Sequence, residues 1–332
     1  MSIHLDINRR DFLVRSAAVS AMSLLPALRT ALAEPAPEIR RIRIEHGPYL
    51  CFAPIYLAEE FLRLEGFDDI QYVEGDFFIK ETPTDIAVWG AVGAVRAVDE
   101  GLPVKILSGL HAGCWELFAN DKISRLSDLK GKTIAAATTR SIERIWISSM
   151  LAYVGINPHR EVRWVETGSL EESQRQFLSS KVDAFLAFPP QPQEMRIAKA
   201  GHVLVNTTFD KPWSQYFCCA LGAHKDFLRK YPIAAKRALR AMLKAADVCV
   251  QNPEKAARFL GAKGYEKRYE VALEVLSQLP YGHWRDWNIE DTLRFHALRL
   301  KDIGMVKSSP NDLVSRGVDL RFLNEIRREL RA

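Results

Sequence analysis

Asp128-Leu129-Lys130-Gly131-Lys132-Thr133-Ile134-Ala135-Ala136-Ala137-Thr138-Thr139-Arg140-Ser141 is the stretch on which the fold turns. Thr133 to Ala137 is a short run of small and β-branched residues, of a length that suits one strand. Thr138 and Thr139 then offer hydroxyls to cap a helix from about Ser141 to Tyr153, and Gly155 closes it. Short strands separated by helical segments argue for parallel α/β units.

The same alternation extends in both directions. Upstream, Ile42-Arg43-Ile44-Glu45 reads as a strand, and Ala53 to Leu64 carries helical spacing that Gly66 ends. Ile70 to Val73, Asp85 to Trp89 and Val104 to Ser108 are further strands, with a helix from Ala91 to Val98 opened by Gly90. Downstream, Arg163 to Val165 is a strand and Leu170 to Leu178 a polar helix. Val182 to Ala187 is the next strand, stopped by Pro189-Pro190. From about Tyr231 the chain is nearly all helix, with starts at Asn252-Pro253-Glu254 and at Asn288 ahead of Glu290 and Asp291. No internal repeat or low-complexity run is present.

The first 33 residues read differently. Arg9-Arg10 stand before Phe12-Leu13, a weakly apolar alanine- and serine-rich stretch follows, and Ala31-Leu32-Ala33 is a small-x-small cleavage site. The pair resembles a twin-arginine export signal, so residues 1–33 are expected to be removed and the protein to work in the periplasm. Cleavage would leave about 300 residues, enough for two lobes of about 100–200 each. A formal charge of +5, four of whose arginines lie in the signal, is too small to argue for nucleic acid.

The five cysteines are Cys51, Cys114, Cys218, Cys219 and Cys249. No CxxC occurs and no His/Cys spacing suits zinc, so neither a metal nor a cofactor is expected. The cysteines read as small buried hydrophobes.

Three segments together resemble a known group. Leu126 to Ala135 is similar to the "DLKGKxIA" opening of the second lobe of many periplasmic binding proteins. Ser179 to Phe185 resembles their "GxVDA" strand, with Ser180 in place of the usual glycine. Ala53 to Glu60 resembles the "APxYLAxExG" start of the nitrate-, sulfonate- and taurine-binding (SsuA/THI5-like, NMT1-like) proteins, whose fold is shared with thiamine-pyrimidine synthases. The turn Trp89-Gly90-Ala91 departs from the Thr-Gly or Ser that relatives often carry there. The resemblance spans about Arg41 to Leu330. It implies an α/β periplasmic binding protein of type II, with two doubly wound sheets joined by a two-strand hinge and a helical C-terminal region. Lobe I would be 38–116 plus 218–332 and lobe II 117–217, with crossings near Cys114–Ala119 and Phe217–Leu221. It implies a monomer that holds a small solute between its lobes and delivers it to a permease and ATPase of an ABC importer. It also implies that the protein is not an enzyme.

Ligands of open α/β sheets bind at the carboxyl ends of the strands, which nominates the residues just after each one. Thr138, Thr139, Arg140 and Ser141 could hold an anion on free amides, hydroxyls and a guanidinium, or Thr139 could simply cap. Trp89, Gly90 and Ala91 could form a flat wall with close backbone approach, unless Trp89 is core. Tyr49 and Phe52 follow the first strand. His111 and Trp115 precede the first crossing, and Phe188 and Pro190 end a strand of lobe II. The aromatic candidates suggest an organic ligand with a flat part and an anionic group. Trp284 and Trp287 read as packing, and Arg327, Arg328 and Arg331 as a solvated face. No GxSxG, HExxH or phosphate-binding loop is present. The competing functions are a thiamine-pyrimidine-synthase-like enzyme, whose "CCCxC" is echoed only by Cys218-Cys219, and a ligand-sensing partner of a membrane receptor.

Overall fold

The computed structural model describes residues 34–47, 49–74 and 84–330. The export signal expected at 1–33, with Arg9 and Arg10, lies outside the described residues, as does Arg331.

Among the described residues, ten strands form two five-stranded sheets. The first has the order β2 (Asp69–Glu74), β1 (Arg41–His46), β3 (Ile86–Gly90), β10 (Phe217–His224), β4 (Val104–Ala112). The second has the order β7 (Arg163–Glu166), β6 (Thr133–Ala136), β8 (Ala184–Ala187), β5 (Glu116–Ala119), β9 (His202–Asn206). In each sheet the pairs flanking the second strand are parallel, as the strand–helix alternation requires. The purely parallel expectation fails at one strand per sheet. β10 runs antiparallel between β3 and β4, and β5 runs antiparallel between β8 and β9. Each enters its sheet directly from the other one, so the direction in which it arrives is set by the crossing and not by a preceding helix. β9 and the helix Gln191–Ala198 were not anticipated.

Twelve helices cover the sheets among the described residues. They are α1 (Ala53–Leu64), α2 (Ala91–Asp99), α3 (Ile142–Tyr153), α4 (Leu170–Leu178), α5 (Gln191–Ala198) and α6 (Lys225–Lys230), followed by the C-terminal set. That set is α7 (Pro232–Gln251), α8 (Pro253–Ala262), α9 (Tyr269–Gln278), α10 (Ile289–Asp302), α11 (Pro310–Gly317) and α12 (Arg321–Glu329). Their starts follow the sequence signals: Asn252 and Asn288 accept from the backbone N–H of Lys255 and Glu290, with Pro253 at the first turn of α8. The described residues from Pro37 onward make one compact unit. None of these helices is long and apolar enough to cross a membrane.

The first crossing is short. β4 ends at Ala112 and β5 begins at Glu116, leaving Gly113, Cys114 and Trp115 to pass between sheets. Gly113 sits at φ +76°, and a Cβ there would lie 2.2 Å from Thr208 Oγ1 on the return path, so only glycine fits. Thr207 binds both the amide and the carbonyl of Trp115, at 3.0 and 2.9 Å, and thereby ties the two paths together.

The C-terminal aromatics pack as expected: Trp284 is fully buried and donates to Asp247 at 3.2 Å. Arg327, expected in solvent, instead donates to the carbonyl oxygens of Trp284 and Trp287. It closes the turn that those tryptophans occupy. Arg328 stays exposed.

Candidate functional site

The ends of β1, β3, β6 and β8 meet along one seam between the sheets. Tyr49, in the turn after β1, packs edge-on against Phe52 at 5.1 Å and against Phe188, beyond β8, at 5.0 Å. Trp115 in the first crossing lies 4.6 Å from the same Phe188 ring. Four residues nominated separately from the sequence thus form one aromatic cluster drawn from both sheets. Phe188 and Trp115 are buried, whereas Tyr49 is exposed. The indole Nε1 of Trp115 is buried with no hydrogen-bond partner. Pro190 follows a cis Pro189–Pro190 bond, and its carbonyl accepts from Gln193 and Glu194 to start α5.

Gly90 makes a second contact across the seam. A Cβ there would stand 3.1 Å from the Ile142 side chain at the start of α3, so its absence lets β3 approach that helix end closely. Ala91 is fully buried as the first residue of α2. Trp89 belongs to the core: its ring fills the space over Gly222 of β10, where a Cβ would come within 2.0 Å. The alternation of the strand turns Trp89 into the packed face, which corrects the expectation of a ligand wall.

The turn 138–141 also differs from the expectation. The N-cap of α3 is Ser141, whose hydroxyl donates back to the Thr138 carbonyl at 3.0 Å; neither threonine caps the helix. Thr138 Oγ1 accepts from the Arg140 amide at 3.3 Å, and Thr139 is exposed. The Arg140 guanidinium pairs with Glu100 at the end of α2, at 3.0 and 3.1 Å to its two oxygens. It therefore latches the rim of the seam.

Glu143, which the sequence reading did not single out, stands at the same turn. It is 2% exposed, and its Oε1 accepts from the Ala137 amide at 2.6 Å. An acidic residue in the first turn of a helix is ordinary, so its sequence carried no signal. The Tyr49 phenol is pushed up, first by the partial burial of a residue that keeps 37% of its surface exposed, and then by the charges of Cys51, Glu143, Glu171 and Glu45. It stays protonated at neutral pH and can donate.

His111 is fully buried and does not face the seam, contrary to the expectation of a ligand contact. Its ring lies edge-on to Tyr281 at 5.3 Å, among the thiols of Cys51, Cys114 and Cys219. All five cysteines are buried and reduced. Burial pushes the thiols of Cys51, Cys114 and Cys218 well up. Burial would raise Cys219 too, but its contacts with Cys114, Cys218 and Cys51, and the nearby His111 ring, hold it well below the ordinary thiol value. A separate cleft of about 780 Å³ is lined by Tyr216, Trp287, Phe295 and Arg299 among others.

Known structures share this architecture. The periplasmic nitrate-binding protein NrtA of Synechocystis superposes with a TM-score of 0.73 at 15% identity, over 89% of this chain and 90% of its own. The alkanesulfonate-binding protein SsuA of Xanthomonas axonopodis, bound to MOPS, gives 0.68 at 15% identity, over 87% of this chain and 99% of its own. The periplasmic aliphatic sulphonate-binding protein SsuA of Escherichia coli gives 0.65 at 16% identity, over 83% and 92%. These likenesses show the fold, that of the two-lobed periplasmic binding proteins. No curated protein matches the chain in sequence. The sequence profile described as NMT1/THI5 like matches residues 70–256, more than half of the chain. The chain therefore belongs to the NMT1/THI5-like family.

Proposed function

We propose that the chain is the solute-binding component of an ABC-type importer: it captures a small organic solute at the seam between its sheets and hands it over unchanged to a permease and ATPase. The convergence of Tyr49, Phe52, Trp115 and Phe188 from both sheets carries this reading. Strand ends of two sheets meeting on aromatic walls are what a clamping site needs, because contacts from both sides form only when the lobes close. In this reading lobe I is 38–116 plus 218–332 and lobe II is 117–217. Residues 1–33 direct twin-arginine export to the periplasm. Lysine at both Arg9 and Arg10 should then leave the precursor in the cytoplasm, and normal delivery of that double variant would refute the export claim.

On ligand charge the seam favours donors over an anion. Arg140 is engaged by Glu100, while Glu143 presents a buried carboxylate and Tyr49 a protonated phenol. The fitting solute has a flat part for the aromatic cluster and N–H groups for Glu143. Titration calorimetry with heteroaromatic amines, aromatic sulfonates, alkanesulfonates and nitrate tests this. Binding should be confined to the amines. Glu143→Gln should weaken it about tenfold to a hundredfold, as loss of a charge-assisted hydrogen bond of about 1.5–3 kcal/mol implies. Tight binding of a sulfonate or nitrate, undiminished in Glu143→Gln, would refute the donor assignment. Mass spectrometry of the recovered solute checks that it is returned unaltered; conversion would favour an enzyme.

A further inference from the structure

We propose that Cys51, His111, Cys114 and Cys219 form a buried Cys3His site for one thiophilic transition-metal ion, with Zn2+ the best fit. The four residues come from separate segments. Cys51 lies in the short 3-10 turn after β1, His111 near the end of β4, Cys114 in the first crossing, and Cys219 on β10 directly opposite His111 in the ladder. One ligand atom from each lies within 4.8 Å of all the others. Tetrahedral zinc with bonds of about 2.0–2.3 Å places its ligand atoms roughly 3.4–3.8 Å apart. Contraction of even the widest pair by roughly 1.0–1.4 Å would therefore complete the shell.

His111 supplies the independent observation. The residue is fully buried; its Nδ1 lies 3.2 Å from the Ala112 carbonyl oxygen, and its Nε2 has no partner. A ring N–H held on a backbone carbonyl leaves the other nitrogen with a lone pair, which is how metal-bound histidines are oriented. An unpartnered polar atom this deep in the core requires a reason, and a metal ion provides one. The thiolate-rich set selects against Mg2+ and Ca2+, which prefer oxygen. Four protein ligands close the shell, so the ion would be structural. It would tie the turn carrying Tyr49 and Phe52 to the crossing that carries Trp115, and so hold the aromatic cluster from behind. On binding, the thiol protons pass to solvent and no electron transfer occurs.

The competing arrangement is a disulfide, since Cys218 Sγ lies 3.2 Å from Cys114 Sγ. The experiment uses full-length protein purified under reducing, chelator-free conditions, with metal content read by mass spectrometry and the apoprotein titrated with Co2+. We expect one equivalent of Zn2+ as isolated, and on Co2+ addition the thiolate charge-transfer band and intense d–d bands of a tetrahedral site. Cys51→Ser, His111→Ala and Cys219→Ser should each weaken Co2+ binding by on the order of a hundredfold or more, since loss of a mere outer-shell partner costs 10–100-fold. Cys249→Ser, a buried thiol outside the cluster, should bind as wild type does. If the ligand variants fail to fold, the wild-type titration decides alone. Absence of a thiolate–Co2+ band in reduced wild-type protein would overturn the proposal. So would a Cys114–Cys218 disulfide in non-reduced peptide maps of freshly isolated protein.

Discussion

At the scale of the residue, the candidates divide by which way their side chains face. Tyr49, Phe52, Trp115 and Phe188 face the seam, whereas Trp89 and His111 face the core. Periodicity could place Trp89 on a strand but not choose its face, because both faces of a buried strand are apolar. Gly222 makes that choice visible. The Trp89 ring occupies the volume a Cβ would need, at 2.0 Å. Gly222→Ala should therefore destabilise the fold by about 1–3 kcal/mol through overpacking, measured by urea unfolding, with ligand affinity unchanged in the folded fraction. A neutral effect on stability would mean that Trp89 has room to move and is not locked in the core. Glu143 shows the reverse case: an acidic residue in an unremarkable sequence position becomes notable only because α3 begins inside a closed seam.

At the scale of the element, α10 carries an unusual burden. His296 is fully buried on it, with neither ring nitrogen partnered, edge-on to Trp146 of α3 at 4.7 Å. Burial first, and the charge of Arg299 second, push its pKa down from 6.5 to about 3. The folded state thus holds a neutral ring while the unfolded chain takes up a proton below about 6.5. The contribution is intact above that value. It is lost progressively between about 6.5 and about 3, at up to roughly 1.4 kcal/mol per pH unit. Urea midpoints between about pH 7 and pH 5 should fall more steeply for wild type than for His296→Phe, which keeps an aromatic ring and has nothing to protonate. Equal slopes would place the acid sensitivity elsewhere. Because α10 packs on α3, this acid sensitivity acts on one of the contacts between the two sheets.

At the scale of the whole molecule, the sheets are already in contact at several points. Tyr49 meets Phe188, Arg140 meets Glu100, and Arg196 of α5 meets Glu274 of α9 at 2.9 Å. The surface ion pairs among these contribute little individually, so the buried packing of α10 on α3 is the larger contact that opening must break. Small-angle scattering should show a larger radius of gyration for ligand-free protein in solution than for protein saturated with solute. An identical radius in the two states would count against hinge closure and leave the seam a fixed interface.

The sequence by itself determined most of the order of strands and helices, many of the helix starts, and which strand ends carry aromatic residues. The boundaries Ala53–Leu64 and Leu170–Leu178 emerge as read, since spacing, caps and glycines act through neighbouring residues. The similarity of short motifs was enough for the family as well. Tertiary structure alone decided the rest. The chain's two crossings insert β5 and β10 antiparallel into sheets that local patterning describes as parallel. The same crossings bring Cys51, His111, Cys114 and Cys219 within reach of one another, although no two of them form a linear metal motif. They also turn Arg140 toward Glu100 and bury Glu143. Local energetics reach only a few residues along the chain, whereas a binding seam is made by the order in which distant strands enter a sheet.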